Sequence, residues 1–289
     1  MSSITKKKLR VSDAFMYILI YLCAGISVLL IAGIIVYVFA KGFSQINWEF
    51  LTMTTSVLKG TVGIAGNILN TLYIIVLTML LATPIGVGAA IYLNEYAKPG
   101  RLVRIIELAT ETLSGIPSII FGMFGMMFFG TTLGLKYSIL TGTLTLTLMV
   151  LPLITRNTQE ALKTVPDSYR HGAVGLGAGK WYTIRTILLP SAMPGIITGA
   201  ILAVGRIVGE SAALLYTAGS SDLLPATAQA YLDKIFQPGG TLTIQLYLSA
   251  QDGEFDVAFG IALVLLVIVL AINMATKFLA RKFDVNRLK

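Results

Sequence analysis

The feature that most constrains this sequence is a series of long apolar runs with almost no charged side chains. A helix needs roughly 20 apolar residues to cross a bilayer, and five runs without Asp, Glu, Lys or Arg are about that long. A sixth run, residues 191–221, is interrupted only by Arg206 and Glu210. With 55% hydrophobic and 12% charged residues, the chain has too few polar groups to cover a soluble protein. The sequence therefore predicts an all-α, polytopic membrane protein and excludes an ordinary soluble enzyme.

The predicted architecture has six transmembrane helices, and the first of them covers residues 15–40. Its charge-free run is far longer than the core of a signal peptide, about 7–15 residues, so we expect an anchor that stays in the protein. The remaining helices are expected at about 68–93, 112–135, 137–155, 191–218 and 257–276. Residues 1–14 and 277–289 form the two tails, and the longest loop on the same side covers 156–190.

The distribution of basic residues sets the expected orientation. Most of the 22 Lys and Arg residues lie in the two tails and in the loops on the same side of the membrane as the tails. The positive-inside rule then predicts that both termini and the loop at 156–190 are cytoplasmic. The same distribution accounts for the net charge of +8 through topology and contact with the lipid bilayer, so we expect no nucleic-acid partner.

Motifs for catalysis or nucleotide binding are not found in the sequence. The segment at 175–180 (GLGAGK) is glycine-rich, but a P-loop would need Gly where Val174 stands and Ser or Thr where Trp181 stands. His171 is the only histidine and Cys23 the only cysteine, so neither a zinc cluster nor a histidine-based triad is expected. We therefore predict a protein that is not an enzyme and binds no metal or cofactor of its own.

The loop at 156–190 contains more structure than a polar linker. A helical pattern over residues 156–165 precedes Asp167 or Ser168, either of which is suited to cap a second helix. After three glycines, the apolar pattern of a helix resumes at 181–189. Two interpretations stay open on these residues: a docking surface for another subunit, or an amphipathic connector lying on lipid headgroups.

This loop resembles the EAA loop of ABC-transporter permeases, whose pattern is E-A-A-x3-G-x9-I-x-L-P. The spacing matches without insertion, although His171 and Gly172 differ from the first two family residues. In that family the loop includes a coupling helix that lies in a groove of the ATPase subunit. The resemblance therefore implies ATPase coupling by the segment 167–178 and the residues after it. The residues concerned are Asp167, Ser168, Tyr169, Arg170, His171, Gly172, Ala173, Gly177, Ile187, Leu189 and Pro190.

Three further segments resemble the PstA family of phosphate-importer permeases: 93–101 (LNEYAKPGR), 114–125 (SGIPSIIFGMFG) and 205–219 (GRIVGESAALLYTAG). The resemblance covers about residues 60–280 and implies a type I, MetI-like permease core. It also implies a PstC-like permease partner, two PstB-like ATPase subunits that bind ATP and Mg²⁺, and a PstS-like phosphate-binding protein. The location that it implies is the cytoplasmic membrane of a bacterium or archaeon.

Arg206 and Glu210 are the candidate substrate-pathway residues. A charge at the centre of a bilayer costs roughly 2.5–3.5 kcal/mol, so both side chains need a reason to be there. Their i,i+4 spacing allows a buried ion pair that only fixes helix packing. Alternatively, Arg206 contacts an anion and Glu210 orients the guanidinium. Ser114 and Ser118 flank Pro117, where a kink either forms part of a cavity or reflects ordinary packing.

The favoured hypothesis is a permease subunit of an ATP-driven phosphate importer, which forms half of the transmembrane pathway. A permease for another oxyanion, such as molybdate or sulfate, is a close alternative, because residue chemistry alone does not separate tetrahedral anions. An ion-coupled secondary transporter and a membrane scaffold or sensor are further alternatives. The single acidic residue in the middle of the predicted spans argues against ion coupling.

Overall fold

The computed structural model of the chain describes residues 11–56 and 61–283. Residues 1–10 and 284–289, most of the two predicted tails, lie outside the described residues. A short antiparallel hairpin is formed by β1 (Thr54–Ser56) and β2 (Thr61–Ile64). The helices are α1 (Val11–Gly42), α2 (Trp48–Thr52), α3 (Ala65–Ile91), α4 (Arg101–Gly115), α5 (Ser118–Gly125), α6 (Ile139–Lys163), α7 (Asp167–Gly175), α8 (Lys180–Thr183), α9 (Leu189–Val208), α10 (Ala212–Thr217), α11 (Ala228–Asp233), α12 (Leu242–Gln251) and α13 (Phe255–Phe283).

Five of the described helical segments are long and apolar enough to span a membrane. They contain α1, α3, α6, α9 and α13, and they correspond to the predicted spans except the one at 112–135. Short π-helical turns extend three elements: Tyr92–Tyr96 follows α3, Met126–Thr132 follows α5, and Ile184–Leu188 joins α8 to α9. The all-α membrane fold predicted from the apolar runs is confirmed.

The predicted span at 112–135 is not one continuous helix, and the kink expected at Pro117 is a sharp bend. The chain bends by 102° between α4 and the segment Ser118–Thr132, so this region is a sixth span only if the bent pair is counted as one. The bend lies at Ile116 and Pro117, where both residues have extended backbone angles. Proline disfavours helical geometry in the residue before it, which ends α4 one residue earlier, at Gly115.

The predicted helix at 191–218 is also interrupted. Helix α9 ends at Val208, and α10 begins at Ala212 after three residues that do not continue the helix. At the other end, the helix begins earlier than predicted, because a continuous helical segment runs from Lys180 to Val208. Hydropathy detects the apolar length of this segment, whereas the interruption places Glu210 in a different local structure from Arg206.

Helices α3, α6 and α9 form the centre of the fold. Their buried side chains include Ile74, Leu146 and Ile207, each less than 3% exposed. Close approach of α6 and α9 depends on small residues: a Cβ on Gly195 would meet Ala161, and a Cβ on Gly199 would meet Asn157. Such stripes of small residues let membrane helices pack with little space between their backbones.

The segment between α10 and α13 packs back onto the helices. Within it, α12 lies against α13, and Ile244 belongs to the central core. The segment is fixed to the first turns of α3 by three side chains, which we call the amide latch: Asn67, Asn70 and Thr71. Both asparagine amides donate to the carbonyl oxygen of Gly240, at 3.0 and 3.1 Å.

The loop at 156–190 is shorter than predicted. Residues 156–163 are not a separate helix, because α6 continues through them to Lys163. Pro166 occupies the cap position of α7, so Asp167 is the first helical residue and the predicted side-chain cap is wrong. A Schellman-type turn ends α7, in which the N–H of Ala178 donates to the carbonyl of Ala173 and Gly177 has a φ of 78°.

Candidate functional site

Arg206 lies in the last turn of α9, and its exposed side chain lines a cavity of about 400 Å³. In the part of the chain that the structure describes, Arg206 belongs to none of the ion pairs. A guanidinium without an internal counter-ion offers several donors to an anion that enters the cavity. The other lining residues come from α4, α6 and the turn and helix between them: Leu113, Ser114, Ile116, Phe121, Met149, Pro152, Leu153, Arg156, Asn157 and Glu160.

Glu210 does not pair with Arg206, so neither the buried ion pair nor the orientation of the Arg206 guanidinium by Glu210, the two predicted alternatives, is found. Because α9 ends at Val208, the i,i+4 spacing no longer places the two side chains on one helical face. Glu210 is only 6% exposed, and its Oε1 accepts a hydrogen bond from the N–H of Ala213 at 3.1 Å. Its carbonyl oxygen accepts from the hydroxyl of Thr243 at 2.9 Å. Glu210 therefore satisfies the first turn of α10 and ties it to α12.

Arg156 lines the same cavity as Arg206, and the sequence analysis missed it as a site residue. It was assigned to the loop because the apolar run ends at Thr155, although α6 continues for about two more turns. Nε of Arg156 lies 3.6 Å from Oε1 of Glu160, and both side chains are largely exposed. Two cationic side chains on one cavity make it suitable for a multiply charged anion.

The same ion pair also borders a second cavity, of about 240 Å³, between α4 and α6. Glu107, Glu111 and Lys163 are among its lining residues, so this cavity is more acidic than the first. Among the described residues, no group of three or more His, Cys, Asp or Glu is arranged to hold a metal ion. The Arg156–Glu160 pair thus stands between an arginine-lined cavity and an acidic one.

The two candidate serines are separated by the bend at Pro117. Ser114 lies on the cavity of Arg206, and its hydroxyl donates to the carbonyl of Thr110 at 2.8 Å. Ser118 is the first residue of α5 and is not among the residues that line this cavity. The structure therefore brings Arg206 and Ser114 to one cavity and leaves Ser118 outside it.

Helix α7 has an outer face and an inner face. Asp167, Ser168, Tyr169, His171 and Gly172 are exposed, whereas Ala173 is buried. Two more apolar side chains extend the outer face: Val174 is 67% exposed and Leu176 is 91% exposed. Exposed apolar groups of this size on a loop between spans are characteristic of an interaction site.

Arg170 points from α7 into the protein rather than toward solvent. Its Nη2 donates to Oε1 of Glu95 at 2.8 Å and its Nε to Oε2 at 3.4 Å. The guanidinium also donates to the carbonyl oxygens of Val165, at 3.0 Å, and Leu162, at 3.1 Å. Nη1 forms a further bond to the Asp167 carboxylate at 3.1 Å. Glu95 lies in the π-helical turn after α3, inside the segment 93–101 that resembles the PstA family, but it was not among the predicted site residues.

The last three residues of the EAA-like pattern lie inside the fold. Ile187, Leu189 and Pro190 are each partly buried where the π-helical turn joins α9. Pro190 comes directly after the π-helical turn, inside the continuous helical segment 180–208, where it supplies no N–H to the preceding turn. These residues set the direction in which α9 leaves the loop.

Comparison with known proteins places these features in a family. Residues 82–286 match the profile of the family described as binding-protein-dependent transport system inner membrane component. The probable ABC transporter permease YqgI of Bacillus subtilis is 37% identical over 269 residues, covering 89% of this chain and 91% of the relative. The phosphate transport system permease PstA 2 of Mycobacterium bovis is 31% identical, covering 96% and 91%. PstA of Xylella fastidiosa is 32% identical, covering 83% and 82%.

Solved structures with a similar fold are permease chains of ABC importers. A chain of a bacterial alginate ABC transporter superposes with a TM-score of 0.69 at 15% identity, covering 95% of this chain and 96% of that one. A chain of the MetNI methionine ABC transporter gives a TM-score of 0.55 at 20% identity, covering 76% and 94%. At these identities the likeness concerns the fold alone, and it confirms the type I, MetI-like core.

Proposed function

The chain belongs to the family of binding-protein-dependent transport system inner membrane components, and from this premise we propose that it is the permease of a phosphate importer. As an ABC importer permease it is a multi-pass membrane protein that works with ATPase subunits and a substrate-binding protein. ATP is hydrolysed by those separate subunits. This chain supplies the transmembrane pathway and the contacts that couple the pathway to the ATPase.

The proposal of phosphate is carried by the pair of arginines on one cavity. Arg156 and Arg206 present two planar groups of donors, which match the oxygen atoms of a phosphate better than a point charge does. Sulfate and molybdate are also tetrahedral. Phosphate is favoured over them because several relatives are named phosphate transport system permeases.

The Arg156–Glu160 pair gives the proposed site a counter-charge when it is empty. An entering phosphate would replace the Glu160 carboxylate at Arg156, because both bind the same guanidinium donors. Exchange of one anionic partner for another keeps the Arg156 guanidinium paired both before and after the anion enters. The exposure of both side chains keeps the pair weak enough to be displaced.

The proposed complex contains this chain, a PstC-like permease, two PstB-like ATPase subunits with ATP and Mg²⁺, and a PstS-like binding protein. Helix α7 would dock on an ATPase through its exposed apolar side chains, Tyr169, Val174 and Leu176. The charge distribution supports cytoplasmic termini, in a bacterial or archaeal cytoplasmic membrane. Closure of the ATPase dimer on ATP would then shift the permease between its inward-open and outward-open populations.

The test is ATP-dependent uptake of radiolabelled phosphate by the complete complex in proteoliposomes. Arg206→Gln is expected to lower uptake by about a hundredfold, because it removes a charged contact made to the anion. Arg104→Gln is the matched control: Arg104 is exposed on α4 and is not among the residues that line the cavity. It should change uptake by less than about twofold, as expected for an exposed charge away from the anion.

Excess sulfate and molybdate test the substrate in the same vesicles. Uptake that neither anion inhibits supports phosphate as the substrate. Normal uptake by an assembled Arg206→Gln complex would exclude the proposed role of Arg206. Competition by molybdate or sulfate at concentrations similar to phosphate would overturn the choice of phosphate while leaving the family assignment intact.

A further inference from the structure

The contact between Arg170 and Glu95, which we call the clamp, joins three helices at one end of the protein. Arg170 belongs to α7, and Glu95 follows α3 directly. The two carbonyl oxygens that Arg170 also binds belong to Leu162, in the last turn of α6, and Val165, just after it. A cation at the carbonyl end of a helix is favoured by the helix dipole. The guanidinium thus holds the ends of α3 and α6 together.

Of its two carboxylate partners, Glu95 is the one that fixes Arg170. The side chain of Glu95 is 8% exposed and that of Asp167 is 81% exposed. An exposed ion pair contributes little because water screens it. Loss of one partner of a buried pair leaves an uncompensated charge. The pKa of Arg170 is raised, chiefly by the hydrogen bond to Glu95, so the guanidinium stays charged at every pH at which a complex is assayed.

The helices joined by the clamp lead directly to the candidate substrate cavity. Helix α6 runs unbroken from the clamp to Arg156, which lines that cavity. Helix α3 packs along α6 and forms the largest helix contact in the described chain. Because both helices are continuous, a displacement applied at their clamped ends moves the residues near the cavity as well.

The covalent connection from α7 toward α9 is less suited to transmit a displacement. It passes through Gly175, Gly177 and Gly179, and Gly177 adopts a left-handed backbone conformation. Glycine allows more backbone freedom than any other residue, so this connection bends easily. The guanidinium, which makes five hydrogen bonds at fixed angles, is the stiffer link between α7 and the membrane helices.

We propose that the clamp is the positioning contact through which a displacement of α7 reaches α3 and α6 during transport. Arg170 and Glu95 are proposed to act through the helices that they join and not by contact with substrate or nucleotide. The inference rests on the proposed docking of α7 to an ATPase. It adds that two side chains of this permease, distant in sequence, set how efficiently ATP hydrolysis is converted into transport.

The test measures phosphate uptake and ATP hydrolysis together in the complete reconstituted complex. Glu95→Gln keeps the shape of the side chain and removes its charge. It is expected to lower the phosphate transported per ATP by about tenfold, the range found for residues that couple two sites. Arg170→Lys keeps the charge but cannot bridge the same acceptors, so it should lower the ratio by about threefold. Assembly of each complex is checked by size-exclusion chromatography.

Asn94→Ala is the matched control. The amide of Asn94 donates to Oε1 of Glu95 at 2.7 Å, so this variant removes a neutral bond to the same carboxylate and leaves the ion pair in place. It should keep the ratio within about twofold of the unchanged complex, as expected for one neutral hydrogen bond. An equal fall in Asn94→Ala and Glu95→Gln would mean that the ion pair itself is not what couples α7 to the long helices.

Three results would overturn the proposal. The first is an unchanged ratio in assembled Glu95→Gln, and the second is failure of both clamp variants to assemble. The third is a ratio that falls only because ATP hydrolysis rises while α7 is not in contact with the ATPase. If Glu95→Gln alone fails to assemble, the ratio in Arg170→Lys decides. Absence of phosphate uptake in the unchanged complex would refute the proposed substrate instead. In that case the clamp is tested by stimulation of the ATPase by the binding protein, which Glu95→Gln should abolish while basal hydrolysis remains.

Discussion

The two ends of helix α3 are held by opposite kinds of chemistry. At its start, the asparagine amides of the amide latch donate to backbone carbonyls, including that of Ser221 at 2.9 Å, and the Thr71 hydroxyl accepts from the N–H of Leu242 at 2.9 Å. Just after its end, the charged clamp joins Glu95 to Arg170. A neutral amide costs less to bury than an unpaired charge, and it fixes a chain segment through the backbone of that segment. A buried charge pair is costly unless every partner is in place, and it holds several helices in one arrangement.

This difference indicates different roles for the two ends of α3. The latch anchors the segment before α12 to α3, and none of the hydrogen bonds of the latch involves α7. The clamp couples α7, the helix with the exposed apolar face, to the long helices. Changes at the latch should therefore alter stability, whereas changes at the clamp should also alter the efficiency of coupling.

The largest expected loss of stability at the latch end comes from Gly66→Ala. A Cβ on Gly66 would collide with the backbone carbonyl of Asp222, and a backbone atom cannot rotate away. We expect a loss of about 3 kcal/mol, as for other overpacked sites. Gly88→Ala, toward the other end of α3, is the control, because a Cβ there meets nothing within 4 Å. Both tryptophans are exposed, so their fluorescence is a poor signal of unfolding. Melting of the complex is therefore followed by size-exclusion chromatography after heating.

Equal melting of the Gly66→Ala complex and the unchanged complex would contradict the proposed difference between the two ends of α3. It would show that the segment around Asp222 moves aside without cost, and that the latch is not a fixed anchor. A loss in Gly88→Ala as large as in Gly66→Ala would show that crowding by Asp222 is not the cause of the loss.

Asn70→Ala should have a smaller effect on stability. It removes two hydrogen bonds, to the carbonyl oxygens of Ser221 and Gly240, in a buried position. The expected loss is about 2 kcal/mol, because buried carbonyls are left with fewer donors. The same heating assay measures it, and the phosphate transported per ATP should stay unchanged. A fall in that ratio without a loss of stability would mean that the latch, too, belongs to the coupling mechanism.

Long apolar helices were the part of the fold that the sequence could predict. The spans at 15–40, 68–93, 137–155 and 257–276 follow from hydropathy, because each apolar run lies within one continuous helix, apart from two residues before Ile139. The breaks at Ile116 and after Val208 did not follow from it. Hydropathy sums side chains and is insensitive to a backbone that leaves helical geometry while staying apolar. Pro117 marked a kink, but its size depends on how α4 packs against α6.

The candidate site was predicted only in part, for a related reason. Arg206 stood out because it interrupts an apolar run, whereas Arg156 lies among polar residues that continue α6 beyond the apolar run. Glu95 could not be recognised, since its partner Arg170 is 75 positions away in sequence. The latch was equally hidden, because its acceptors are backbone carbonyls that any residue supplies. Contacts between distant segments require the fold itself.

The smallest expected effect on stability belongs to Asp167→Asn. This variant tests whether burial decides which carboxylate partner of Arg170 stabilises the protein. The Asp167 carboxylate bonds the same guanidinium as Glu95 but is 81% exposed, so its loss should cost less than about 0.5 kcal/mol in the heating assay. Its expected cost is several times smaller than that of Glu95→Gln, measured in parallel on the assembled complex. Similar costs for the two variants would show that solvent does not separate the partners. Burial would then no longer explain the clamp, and the two ends of α3 would differ only in charge.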